Sequence, residues 1–501
     1  MSVVTTPIDE LVADLADVTV ITESATTDAY RHDTAAFCDA GTPLGVVRPT
    51  TTAEVQHVMR WATRHRAPVV PQGALTGLSG AANTVDGCLV LSMVRMDRIL
   101  EIDVVDQVAV VEPGVVNATL SRAVLDQDLF YPPDPSSWET STIGGNLATN
   151  AGGLCCVKYG VTADFVRGLE VVTAGGELLR TGRRTAKGVA GYDLTRLVVG
   201  SEGTLGVITQ ATLGLRPPPE TALTMAAVFA DTHLALDAAT QIMASGLRPS
   251  LMEFLDGTTI RAIQDHRDMD LPVTARAVLL TQSDRGPLAA ADVAAMARTC
   301  EDLEAVNVAV ADDEDESALL LEARRLVGPA LDRLGATLVD DVAVPRSRLI
   351  DLLAGIERIA DQHSVVVACP GHIGDGNMHP TVVFDRGDHE AVARARKAFA
   401  DIMRLALDLG GTITGEHGVG LLKREWLRRE IGDLSYELQR SIKAAFDPLG
   451  ILNPTRCSDA RGLLSGADRP CRWQWRGWTC ARMGTRRQRG RVPSGLRASG
   501  R

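Results

Sequence analysis

The sequence predicts an α+β chain with more than one folded unit, and three observations carry that reading. The chain has 501 residues, more than one ordinary core of about 100–200 residues accommodates. Its first half is a series of brief Val/Ile/Leu segments punctuated by Gly and Pro, without regular strand–helix–strand alternation. After a run of prolines, similar segments alternate with stretches of helical periodicity.

Residues 8–17 read as a short amphipathic helix. Residues 52–65 (TAEVQHVMRWATRH) read as a stronger one, entered from a Thr cap. A buried strand then runs into the glycines of APVVPQGALTGLSGAA, followed by the strands CLVLSM, QVAVVEPG, LEVVTAGGELL and TLGVITQATLGL. RPPPE at 216–220 marks a boundary, because consecutive prolines continue neither a helix nor a ladder. Beyond it the strands TMAAVFA, AVLLTQ and NVAVAD alternate with helices over 231–245, 287–301 and 317–334, the pattern of helices packed on a sheet. A long helix over 389–409 leads into GGTITGEHGVG and two further helices ending near FDPLGILNP. The expected division is a helical lead-in (1–39), a first domain (40–219), a second domain (220–410), a C-terminal helical segment (411–455) and a basic tail (456–501).

Hydrophobic residues make up 45% and charged residues 23%, ordinary values for a globular protein. The net charge is −12, yet the tail carries +10 and residues 1–455 carry −22. So acidic a body repels nucleic acid and excludes general phosphate-backbone binding. The tail, with three of the six Trp and almost no acids, reads as a disordered extension and not as a nucleic-acid or membrane arm. Nine Cys at irregular spacing offer no paired C-x-x-C arms for zinc or iron–sulfur binding, and are read as reduced cytoplasmic thiols. The acidic N-terminus does not resemble a signal peptide, and no apolar run spans a bilayer. The expected location is cytoplasmic, with peripheral membrane association or a homodimer left open.

Three glycine-rich segments stand out. Residues 71–80 (PQGALTGLSG) follow a strand and can turn successive N–H groups toward an anion. The spacing is not G-x-G-x-x-G, so a tight structural turn is an equal reading of that segment alone. The others are PPDPSS with STIGGNLATNAGG, in which prolines stiffen and glycines free the backbone, and GSEGTLGVIT at 200–209. Three such loops within one unit suit an extended cofactor lying along it.

PQGALTGLSGAA, PPDPSS, STIGGNLATNAGG, KGVAGYDLTRLVVGSEGTLGVIT, GHIGDGNMHP, GEHGVG and FDPLGILNP together resemble the vanillyl-alcohol-oxidase type of FAD-binding flavoproteins. Within that type they are similar to the branch of glycolate oxidase catalytic subunits, D-lactate dehydrogenases and D-2-hydroxyglutarate dehydrogenases. The resemblance covers residues 40–455 and implies a two-subdomain FAD-binding domain, an α/β substrate (cap) domain and a helical return to the flavin. It implies that Pro71, Gly73, Ala74, Leu75, Thr76, Gly77 and Gly80 hold the FAD pyrophosphate. Pro133, Ser137, Thr142, Gly145 and Asn146 share that task. Around the adenine–ribose end and the flavin it places Glu202, Gly203, Val207 and Ile208, with Ala148, Gly152, Gly153 and Asn453 as further contacts. Leu75 is a departure, since related loops often carry Gly or Asn there. No His or Cys stands where relatives tether FAD, so attachment is expected to be non-covalent.

His372 and His379 lie in GHIGDGNMHP, and Glu416 and His417 in GEHGVG. Each histidine alone reads as a satisfied structural residue. Together in glycine frames, two imidazoles and a carboxylate suit zinc, manganese or iron with positions left open. The resemblance assigns His372, His379 and Glu416 as metal ligands and His417 as the base. It places Arg324 where an arginine clamps the substrate carboxylate, with Arg325 as the alternative. A lysine that serves distal carboxylates in the 2-hydroxyglutarate enzymes falls at Val339, which favours a short D-2-hydroxy acid, D-lactate or glycolate. The resemblance leaves the electron acceptor open among oxygen, a quinone, a cytochrome and an electron-transfer flavoprotein. Rival readings are a D-2-hydroxyglutarate dehydrogenase, a non-catalytic flavin-binding subunit, a metal hydrolase and a flavin oxidase of larger alcohols or sugars.

Overall fold

The amphipathic segment after Thr51 forms the helix Thr52–His65, with the Thr51 hydroxyl accepting from the Glu54 N–H at its start. Its apolar stripe buries Val55, Val58, Met59, Trp61 and Ala62. The helix joins Gly45–Arg48 to Val69–Gln72, and both of these strands pair parallel to Leu89–Ser92 between them. With Thr19–Ile21 on the outer edge, these make a four-stranded sheet. The structure is a computed structural model and describes residues 7–15, 18–269, 271–454 and 456. The basic tail beyond Arg456, whose expected disorder falls there, lies outside the described residues.

A second, five-stranded antiparallel sheet takes the order Ile99–Asp103, Val108–Val111, Val207–Gly214, Val166–Val172, Leu178–Gly182. The glycine-rich segments connect these strands: residues 73–80 follow Val69–Gln72, residues 132–153 lie between Val108–Val111 and Val166–Val172, and residues 200–206 lead into Val207–Gly214. STIGGNLATN, expected as an open wrapping loop, instead forms the short helix Ile143–Thr149, capped by the Thr142 hydroxyl accepting from Gly145 N–H.

Residues beyond 220 build a seven-stranded sheet and a three-stranded sheet, Ala336–Val339, Thr381–Phe384, Val366–Ala368. Helices alternate with the strands as expected, and every strand pair here is antiparallel. Two boundaries differ from the reading of the sequence. The helix expected over 317–334 is broken into Glu314–Leu320, Glu322–Arg325 and Val327–Asp332. Pro329 explains the last break, because it lacks an N–H and its ring collides with the carbonyl four residues back, that of Arg325. Arg456, counted with the tail, is buried in the folded body, its guanidinium donating to the Ala81 and Asn83 carbonyls. The two C-terminal helices lie within Arg424–Phe446 and are separated at Gly432, whose φ of 76° leaves the helical region.

Candidate active site

A cleft of about 1480 Å³ runs between the glycine-rich loops and the second half of the chain. One wall is the 73–78 segment, where the N–H groups of Ala74, Leu75, Thr76 and Gly77 donate to no other group among the described residues. Successive unpaired N–H groups form an anion-binding nest. Gly73 is needed here, since a Cβ would meet the Thr142 hydroxyl at 2.3 Å. Leu75 adopts φ 63°, the left-handed conformation that Gly or Asn accommodates best, which accounts for the preference noted at that position.

At the far end of the cleft stand His379, Glu416 and His417. His372 occupies the strand Gly371–His372, paired through a tight hairpin with Asn377–Met378, and His379 follows that hairpin. Glu416 Oε1 lies 3.3 Å from His372 Nε2 and 3.4 Å from His379 Nε2. His417 Nε2 is 4.0 Å from the same oxygen, and its ring stacks on His379 with centroids 5.0 Å apart and planes 6° from parallel. Burial pushes the Glu416 carboxyl up, but His372 and His379 outweigh that and hold it well below the usual carboxylate range. Burial pushes the His417 imidazole down to about 4, against the pull of Asp341. His417 is therefore neutral near pH 7 and free to accept a proton.

Of the residues singled out from the sequence, most of the cofactor set and Arg324 border this cleft. Gly80, Gly153, Asn453 and His372 do not. Asn453 instead donates its amide to the Ala81 and Glu202 carbonyls, bracing the loops from behind. Glu202 reaches the cleft, yet its carboxylate accepts from the N–H groups of Val419 and Gly420, tying GEHGVG to the GSEG loop. The chain adds a second tie where Leu421 and Leu422 N–H donate to the Ser79 carbonyl. Gly420 sits there at φ 50°, and a Cβ on it would fall 2.1 Å from that carbonyl. Arg324 Nε donates to Glu253 Oε2 at 2.6 Å, and Glu253 Oε1 meets His372 Nδ1 at 2.5 Å.

Residues 43–182 match the FAD binding domain family, and residues 218–457 match the family described as FAD linked oxidases, C-terminal domain. The glycolate oxidase subunit GlcD of Bacillus subtilis (strain 168) is 44% identical over 424 residues, 84% of this chain and 90% of that protein. The chain belongs to the FAD-linked oxidase family. A probable mitochondrial D-lactate dehydrogenase of Danio rerio is 34% identical, covering 82% of this chain and 84% of its own. A D-2-hydroxyglutarate dehydrogenase of Stutzerimonas stutzeri (strain A1501) is 32% identical, covering 89% and 97%. The fold matches p-cresol methylhydroxylase with a TM-score of 0.75 at 18% identity, over 90% of this chain and 96% of that one. An alkyldihydroxyacetonephosphate synthase matches with a TM-score of 0.67 at 19% identity, over 90% and 84%. This FAD-linked oxidoreductase is thus of the glycolate oxidase and D-lactate dehydrogenase type, with the mixed α+β fold expected.

The residues of this FAD-linked oxidase fit both groups that the family implies. The nest and the room beside it suit a pyrophosphate and a dinucleotide. His372, His379 and Glu416 form one of two buried or half-buried donor sets among the described residues whose ligating atoms lie within 4.8 Å of one another, and nitrogen with carboxylate oxygen suits a borderline divalent cation. No helix among the described residues is long and apolar enough to cross a membrane.

The reading of the sequence missed Glu253, Asp341 and Lys423, all buried. Glu253 left a signal, a lone acid in the otherwise apolar LMEFL. Gly152 acquires a different role here: a Cβ on it would lie 2.3 Å from Glu416 Oε2 and 3.2 Å from Glu416 Cβ. Gly152→Ala is expected to retain FAD while weakening divalent-cation affinity by about 10- to 100-fold, the scale of a disturbed ligand shell. Titrating the metal-stripped variant with zinc or manganese measures this.

Proposed function

We propose that the enzyme oxidises a small D-2-hydroxy acid, glycolate or D-lactate, to the 2-oxo acid, using non-covalent FAD and a divalent cation. The observation that carries this reading is the meeting of a phosphate nest and the His379–Glu416–His417 cluster in one cleft. Zinc, manganese and iron all suit His372, His379 and Glu416. When bound, the cation supplies Lewis acidity that lowers the pKa of the substrate hydroxyl, and FAD supplies the two-electron acceptor.

The protein's own residues do the remainder. Arg324 spends Nε on Glu253, and its terminal nitrogens have no protein partner among the described residues, so they remain to fork onto a carboxylate. Arg325 borders the same cleft, and its side chain has no partner among the described residues. His417, neutral and beside Glu416, takes the hydroxyl proton. Val339 and Thr337 line the same cleft, whose described lining residues include no lysine, although Arg386 is among them. The names of the relatives support a 2-hydroxy acid, and Val339 at the position of the lysine favours the short ones over 2-hydroxyglutarate.

Anaerobic mixing of the yellow holoenzyme with glycolate, D-lactate, L-lactate and D-2-hydroxyglutarate tests the assignment. Bleaching of the yellow flavin absorption is expected fastest with glycolate or D-lactate. Preferential bleaching by D-2-hydroxyglutarate returns the assignment to that enzyme class. Bleaching by none of them sinks the reading.

A further inference from the structure

Behind the histidine cluster lies a carboxylate whose two oxygens do different work. Asp341 sits between the strands Ala336–Val339 and Val342–Ala343 and is fully buried. Its Oδ2 accepts from the Glu416 N–H at 3.0 Å, the His417 N–H at 2.8 Å and the Thr414 hydroxyl at 2.7 Å. That oxygen holds the GEHGVG loop. Among the described residues its Oδ1 has no hydrogen-bond partner, and the same is true of two other buried atoms, His379 Nδ1 and His417 Nδ1. Asp341 Oδ1 lies 3.8 Å from His379 Nδ1, and ligating atoms of Asp341, His379 and His417 fall within 4.8 Å of one another. Both imidazoles meanwhile bring Nε2 to within 4.0 Å of Glu416 Oε1.

Three buried polar atoms without partners among the described residues, on side chains whose ligating atoms lie within 4.8 Å of one another, are costly unless they satisfy one another. An imidazole that donates from Nδ1 leaves Nε2 as a lone pair, free to ligate a cation or accept a proton. We infer that Asp341 is a positioning residue that sets two tautomers at once: its Oδ1 accepts Nδ1–H of His379 and of His417, so that Nε2 of both is presented unprotonated to the cleft. A carboxylate oxygen has lone pairs for two donors, and the open geometry closes by a small ring movement when the cleft fills. A second divalent cation at the Asp341–His379–His417 group is disfavoured by the buried Lys423 ammonium, 3.9 Å from Asp341 Oδ2 and 3.3 Å from Asp340 Oδ1. Glu253 Oε1 already makes with His372 Nδ1, at 2.5 Å, the contact inferred for Asp341 with the other two rings.

The inference rests on the reading of His379 as ligand and His417 as base, and its test reads tautomers directly. Holoenzyme containing ¹⁵N-labelled histidine is compared by long-range ¹H–¹⁵N correlation for wild type, Asp341→Asn, His379→Ala and His417→Ala, the alanine variants assigning the two rings. In wild type, Nδ1 of both rings is expected protonated and Nε2 not. In Asp341→Asn, whose side-chain oxygen can still accept from the loop N–H groups, the amide donates toward the rings, and the His417 proton is expected to move to Nε2. The expected accompanying change is a fall in kcat of about 10²- to 10⁴-fold with KM little changed, as for a misplaced general base, and FAD content equal to wild type. An Nε2–H tautomer of His417 in wild type overturns the inference, as does an Asp341→Asn protein with unchanged tautomers. Metal analysis finding two tightly held cations per chain also overturns it. If His417→Ala turns over normally while the tautomers behave as stated, the base assignment fails and the role of Asp341 stands.

Discussion

His417→Ala is expected to bleach under anaerobic substrate about 10²- to 10⁴-fold more slowly than wild type, the usual contribution of a positioned general base. The expected effect is on the rate at saturating substrate and not on FAD content. The ring borders the cleft and its backbone N–H, which the substitution keeps, carries the bond to Asp341. Burial has already pushed its proton affinity down to about 4, so across pH 6 to 8 the imidazole is neutral and the difference between the two proteins should stay nearly constant. Stopped-flow absorbance with glycolate measures this. Bleaching at the wild-type rate removes His417 from the chemistry and points to another acceptor of the hydroxyl proton.

Glu253→Ala is expected to cost about 3–5 kcal/mol of stability, the scale seen when one member of a buried charged network is removed and its partners are left uncompensated. Glu253 is wholly buried and bridges Arg324 Nε at 2.6 Å to His372 Nδ1 at 2.5 Å. Its loss strands a guanidinium and an imidazole together. The urea midpoint of the holoenzyme reports the loss, and metal affinity falls with it because His372 no longer has its Nδ1 partner. Glu253→Gln should be milder, since the amide oxygen can still accept from one neighbour. Equal midpoints for wild type and Glu253→Ala contradict the bridging role.

Much of this arrangement was legible in the residues because its signals are local. The helix Thr52–His65 carried its own cap and apolar stripe. The nest announced itself as glycines and hydroxyls directly after a strand, and the histidines and Glu416 as polar residues in glycine frames. What stayed hidden depends on pairing across long stretches of chain. Glu253 lies 119 residues from His372, and Asp341 75 residues from Glu416, and neither has a neighbour in sequence that betrays its partner. The role of Asp341 is hidden for a further reason: in VDDVAVP the informative position is Val339 and its missing lysine, while Asp341, buried with Lys423, holds the GEHGVG loop. Gly152 shows the converse. Its glycine was legible, but the reason includes room for Glu416 as well as any approach of backbone to cofactor. Arg324 was placed at a substrate carboxylate, and the fold gives it a structural partner first, which makes Glu253→Gln and Arg324→Lys informative together.

The claim on which the rest depends is that one cleft holds a flavin on its glycine-rich side and a cation-assisted alcohol on its histidine side. Anaerobic bleaching by glycolate or D-lactate, followed in the native holoenzyme, after chelation, and after return of zinc, manganese or ferrous ion, tests it most directly. The account predicts fast bleaching, near-complete loss on chelation with FAD retained, and recovery with at least one of the three cations. Bleaching that is indifferent to chelation, in protein shown to be free of metal, would contradict it.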